Sequence, residues 1–174
     1  MIVRLVLGVL AGLLGAGIVH IVGVLAVPAL SDAGLFERIE GLGAPGRFHP
    51  LPTDDPFALA VACAAPTDEP RRVVSDDPVP GEIDFWSASV FGPDGGAIYS
   101  LNDRTAIEGR FDLILATPAA VAEMRAELDE SAPELVAVPE RAVVVLRTRV
   151  TEPTLRARAE AFLASASCDP LEMG

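Results

Sequence analysis

The chain has 174 residues, with 13 basic against 25 acidic side chains and a formal net charge of −12 at pH 7. Every basic residue is Arg, and only two His and two Cys are present. This acidic excess argues against nucleic acid and anionic lipid headgroups as partners, since both bind through a basic footprint.

From Leu5 to Leu30 the sequence carries no charge. As a helix this stretch reaches roughly 39 Å at 1.5 Å per residue, more than the ~30 Å hydrocarbon core of a bilayer. Ala26, Ala29 and Ser31 imitate a cleavage site, but the apolar run exceeds the about 7 to 15 residues usual in a secretory signal. Residues 1–30 are therefore expected to be an uncleaved transmembrane anchor. Arg4 precedes the span, whereas Asp32 and Glu37 follow it. The positive-inside rule then places the amino terminus in the cytoplasm and the remainder on the periplasmic or extracytoplasmic side of the inner (cytoplasmic) membrane.

At 100° per residue Gly8, Gly12, Gly15, Gly23 and Ala26 gather within about 80° of one another, and Gly8 to Gly12 is a GxxxG step. Such a face admits close approach of a second helix, either of another membrane protein or of a second copy. The competing reading is the general abundance of Gly in membrane helices. His20 lies near the middle of the span, where a neutral packing or hydrogen-bonding imidazole costs far less than a charge.

Residues 31–56 read as a Pro/Gly-rich connector, with "LFERIEGL" able to form two amphipathic turns near the membrane surface. His49, Asp54 and Asp55 carry ligand chemistry, but their irregular spacing matches no metal motif. No metal and no cofactor is expected.

Residues 57–174 read as one α+β domain, more strand than helix and mostly antiparallel, because the connections are short. "FALAVACAA" alternates Phe57, Leu59, Val61 and Cys63 with alanines. "RRVVS", "FDLILATP", "LVAVPE" and "AVVVLRTRV" supply further strands, the last setting Val144, Leu146, Thr148 and Val150 against a wet face with Arg147 and Arg149. Two helices are expected to pack on the sheet. One is capped by Thr117, opens at Pro118 and turns Val121, Met124 and Leu128 to one side. The other begins near Thr151 to Pro153 and carries Leu155, Phe162, Leu163 and Ala166.

"FWSASVFGPDGGAIYSLNDRT", Phe85 to Thr105, reads as a hairpin with a five-residue loop. It contains the chain's single Trp and single Tyr. Two readings of it stand side by side. In the first, Trp86 and Tyr99 are core or cross-strand residues, Asn102 and Asp103 build a tight corner, and Arg104 pairs with Asp84, Glu108 or Asp112. In the second, Trp86, Tyr99, Asn102, Asp103 and Arg104 line a site for an anionic ligand, since a guanidinium holds a carboxylate bidentately. Cys63 and Cys168 have two readings as well. An oxidising compartment permits a bridge that stabilises by roughly 2 to 5 kcal/mol; otherwise Cys63 is a buried thiol and Cys168 a frayed, free one.

The order "VACAAPTDEP", "FWSASVFGPDGGAIYSLNDRT", "FDLILATP" resembles the short, membrane-anchored bacterial members of domain-of-unknown-function family 1254. The likeness covers roughly residues 1 to 168 in plan and is most specific at the Trp-Ser hairpin and the Asn-Asp-Arg-Thr corner. It implies a mostly β domain in a bacterial envelope and transfers no catalytic residue. Larger relatives join this module to a second, family 1214, so a function shared between the two would require a separate partner here. No GxSxG, HExxH, phosphate loop or dinucleotide-binding glycine pattern occurs in the sequence. Two functional expectations follow: an anchored extracytoplasmic interaction or accessory subunit, and a ligand-binding or enzymatic domain centred on the hairpin.

Overall fold

The computed structural model describes residues 2–31, 34–76, 83–127 and 132–171. They fall into two compact units, Met1–Gly34 and Leu35–Gly174. The first unit is one helix, α1 (Ile2–Ser31). Its segment Ile2–Val27 is long and apolar enough to cross a membrane, with a mean hydropathy of 2.4 and no part of that window buried.

The second unit is α+β. Two sheets face one another, and their strands alternate because the buried sides of both meet in one core. The five-stranded sheet comprises β1 (Phe48–Pro50), β2 (Ala58–Pro66), β4 (Phe85–Phe91), β5 (Ala97–Asn102) and β8 (Arg141–Arg149), in the order β1-β2-β8-β4-β5. The four-stranded sheet comprises β3 (Arg71–Val74), β6 (Asp112–Ala116), β7 (Glu134–Ala137) and β9 (Ser167–Pro170), in the order β7-β6-β3-β9. Every pairing is antiparallel except that of β6 with β7, which are joined through α3 (Pro118–Glu127), as a parallel crossover requires.

Inward residues pair across the strands of the larger sheet. Val61 lies opposite Leu146, Cys63 opposite Val144, and Trp86 opposite Thr148. Val73, Leu113, Leu115 and Val136 meet them from the smaller sheet, and Phe162 and Leu163 of α4 (Arg156–Ser165) complete the cluster. The Thr117 hydroxyl accepts the Ala120 N–H at the start of α3, and Val121 is buried while Met124 is half-buried. Leu128, expected on the same face, lies outside the described residues, as does Asp32.

Three segments differ from their sequence reading. "LFERIE" forms a short helix, α2 (Leu35–Glu40), that belongs to the domain: Phe36 and Ile39 bury against Ala62, Ala64 and Val143 on the outer face of the larger sheet. Arg141 holds it there, stacking 4.5 Å above the Phe36 ring and pairing with Glu37 at 3.3 Å. Alanines at 62 and 64 leave the shallow floor that an aromatic ring can fill, so the hydrophobic pair is spent on the sheet. Residues 35–56 are thus integral to the fold, with β1 pairing along β2. Phe57 precedes β2 and is exposed, and the chain after the last helix is a paired strand, β9.

Cys63 of β2 and Cys168 of β9 form a disulfide that joins the two sheets, with a Cα separation of 6.7 Å and a sequence separation of 105. Beside it Arg71 donates to the Pro66 carbonyl at 2.7 Å and to the Cys168 carbonyl at 3.3 Å. Gly46, at φ 75°, passes so close that a Cβ would lie 2.8 Å from the Arg71 guanidinium. Reduction of the bridge, or Cys63→Ala with Cys168→Ala, is expected to lower stability by about 2 to 5 kcal/mol, read as a shifted midpoint in urea unfolding. An unchanged midpoint would show that the sheets hold together without it.

Candidate functional site

The hairpin loop closes on itself. Gly92 N–H donates to the Gly96 carbonyl at 2.9 Å, Gly95 takes φ 77°, and the Asp94 carboxylate accepts the Gly96 N–H at 3.1 Å. At the other end of β5 the corner is built just as locally. The Asn102 side-chain oxygen accepts the N–H groups of Arg104 at 2.9 Å and Thr105 at 3.1 Å, while the Thr105 hydroxyl accepts the Asn102 N–H at 3.0 Å. Asp103 N–H donates to the Trp86 carbonyl at 3.2 Å. Asn102 and Thr105 thereby fix the turn, the Asp103 backbone ties it to β4, and Arg104 is left exposed on it.

The three carboxylates proposed for Arg104 are disposed of differently. Asp112 makes a bidentate pair with Arg72, at 3.0 and 2.7 Å, which raises the Arg72 pKa. Asp84 accepts the Thr151 N–H at 2.8 Å and the Thr151 hydroxyl. These bonds, the hydroxyl first, lower its pKa, with a smaller contribution from the charge of Arg149. The Glu108 side chain lies outside the described residues. Arg104 has no ion pair among the described residues.

Trp86 does not line a site. It is 1% exposed and lies between Phe111 and Phe162, with ring centroids at 6.0 and 6.1 Å. Tyr99 lies on the same face of the hairpin at the open edge of β5. It borders a cleft of about 70 Å³ with Leu101, Ile107 and Glu134. Burial, and then the charge of Glu134, raises the Tyr99 pKa above its ordinary value.

Arg104 belongs elsewhere. With Asp84, Phe85, Arg149 and Thr151 it lines a depression of about 400 Å³. Strand register explains the company it keeps: Phe85 pairs with Arg149, and Ser87 pairs with both Arg147 and Asn102. On the outer face of the larger sheet the half under α2 is apolar, whereas this half presents Arg147, Arg149, Ser87, Ala58 and Ala60. The five hairpin residues therefore separate into a core residue, a cleft residue, two turn residues and one exposed guanidinium. Arg149 and Asp84 complete the surroundings of Arg104. The alternation of Arg147 and Arg149 along β8 was visible, but not that β8 lies beside β4.

His49 and Asp55 serve the backbone: the imidazole bonds the Ala44 carbonyl at 2.9 Å, and the Asp55 carboxylate accepts the Phe57 N–H at 2.9 Å. Among the described residues no cluster of His, Cys, Asp and Glu could hold a metal ion.

No family model matches the chain. No curated protein matches it either. Its fold is similar to that of the VPA0106 protein from Vibrio parahaemolyticus, with a TM-score of 0.62 and 15% sequence identity over 83% of this chain. That likeness is one of fold. A second solved structure, of an uncharacterised protein from Burkholderia cenocepacia, aligns over 74% of this chain with a TM-score of 0.46 and 11% identity. The chain spans 37% and 35% of the lengths of these two proteins.

Two expectations test the placement of the aromatic residues. Trp86→Ala should cost about 3 to 5 kcal/mol of stability, measured by denaturant unfolding, and a loss below about 1 kcal/mol would contradict the buried position. Because Tyr99 is the chain's single Tyr, its ionisation can be followed directly by ultraviolet absorbance. The midpoint should lie above the ordinary value of about 10 and move down in Glu134→Gln, since removing a nearby negative charge makes the phenolate easier to form. A midpoint at or below the ordinary value would rule out the half-buried edge position.

Proposed function

We propose that this chain is a membrane-anchored, extracytoplasmic interaction subunit of a bacterial envelope complex, with its amino terminus in the cytoplasm and its domain in the periplasm. The observation that carries the reading is the helix Ile2–Val27, apolar along its length and with none of its apolar window buried against the rest of the chain. Such a surface requires lipid or other helices around it. The Cys63–Cys168 bridge supports the compartment, because disulfides persist where thiols are not kept reduced. Arg4 at the amino end of the helix and Glu37 after it agree with the direction of insertion. The resemblance to family 1254 supports the same setting and suggests that a partner supplies what larger relatives carry in their second module.

The glycine face is the proposed contact in the membrane. A Cβ placed at Gly8, Gly12, Gly15 or Gly23 meets nothing within 4 Å. Leucine at these positions therefore adds no clash within the chain, and any effect reports on a neighbouring helix. The protein extracted from its own membranes in mild detergent should have a native mass above that of one chain. The combined change Gly8→Leu, Gly12→Leu, Gly15→Leu should reduce it to the monomer while leaving domain unfolding unaltered. A wild-type monomer, or a complex indifferent to the three leucines, would overturn the reading.

A further inference from the structure

We propose that the depression between Arg104 and Arg149 is a binding site for a small carboxylate that also carries a hydroxyl or ammonium group. The two guanidinium groups come from different elements, the corner after β5 and the end of β8, and border one concavity with Phe85. Its volume of about 400 Å³ falls within the roughly 300 to 1,000 Å³ of small-molecule pockets. Arg72, Arg141 and Arg156 are each paired with a carboxylate, whereas Arg104 and Arg149 have no such pair among the described residues. Two exposed, planar donors border one hollow in a chain with a large excess of carboxylates, and guanidinium is the group suited to bidentate carboxylate recognition.

Asp84 sets the second half of the ligand. Both bonds from Thr151 fall on one carboxylate oxygen, Oδ2. They fix the group at the edge of the hollow and leave Oδ1 to accept from a ligand. A ligand offering only negative charge is repelled by Asp84, whereas one that also presents N–H or O–H there gains a charge-assisted hydrogen bond. Phe85 supplies an apolar wall for the carbon skeleton.

This site stands apart from the docking reading, since a monomer that binds the ligand would leave it intact. The test is calorimetric titration of the full chain in uncharged detergent, at fixed ionic strength, with malate, aspartate and succinate. These differ only in bearing a hydroxyl, an ammonium group or neither at one carbon. Saturable binding is expected for malate or aspartate, at least about tenfold tighter than for succinate, a difference of 1.4 kcal/mol. Arg104→Gln and Arg149→Gln should each weaken it about tenfold or more, and Asp84→Asn should remove the preference over succinate. Circular dichroism confirms that each variant is folded. Absence of saturable binding by all three up to about 10 mM, binding unchanged in the double Arg variant, or succinate binding as tightly as the other two would overturn the assignment.

Discussion

The register of β8 is the constraint on which both the core and the candidate site rest. This strand lies between β2 and β4 and is hydrogen-bonded to both along most of its length. Its inward set is Ala142, Val144, Leu146 and Thr148; its outward set is Arg141, Val143, Val145, Arg147 and Arg149. Because side chains alternate with period two, a slip by one residue would drive three arginines, Arg141, Arg147 and Arg149, into the core and expose Val144 and Leu146. The same register that excludes this error also places Arg149 beside Phe85 and Val143 beneath α2. Core and surface are fixed together.

A second constraint follows from the small residues of β2. Ala62, Ala64 and Ala65 bury little apolar area each, so this strand contributes less to the hydrophobic term than a Val- or Leu-rich one would. Other links carry the join between sheets. Trp86 reaches from the larger sheet to Phe111 and Phe162. The disulfide ties β2 to the terminal strand β9, and Arg71 bonds carbonyls on either side of it. A single covalent bond across 105 residues restricts the unfolded chain strongly, at a point buried in the core between the sheets. That dependence couples folding to the redox state of the compartment.

Most strands were legible because alternation is a local property. "FWSASVF", "AIYSL", "FDLILATP" and "AVVVLRTRV" each show it, and Thr117-Pro118 marks a helix start by its own chemistry. Of the short strands, β3 and β7 were legible as "RRVVS" and "LVAVPE", but β1 and β9 were not. β1 contains a proline and β9 ends in one, and both owe their strand character to a neighbour, β2 or β3, that is distant in sequence. α2 was legible as an amphipathic turn, but its apolar side fits equally a membrane surface or a sheet; only the alanine floor of β2 decides between them. The site divides along the same line. Asn102 was legible as a corner residue because its side-chain hydrogen bonds lie within three residues, whereas the Asp103 N–H bonds the Trp86 carbonyl on β4. Of the company of Arg104, Asp84 was among the expected neighbours, but Arg149 and Thr151 could not be read, since they reach it through the pairing of β4 with β8.

The charge of the whole chain sharpens the meaning of that pairing. A net charge of −12 creates a field that repels small anions at long range. Beyond a Debye length of about 8 Å in physiological salt the repulsion is screened, and contacts within the hollow dominate. The two guanidiniums must therefore act through short, directed hydrogen bonds, which guanidinium geometry favours and screening barely weakens. Asp84 works in the same range and with the opposite sign. A ligand of mixed character meets attraction from both, whereas a bare polyanion meets the distant field and the nearby carboxylate together. Selectivity in the proposed hollow therefore rests on the short-range contacts of the arginines and Asp84, not on the screened acidic background.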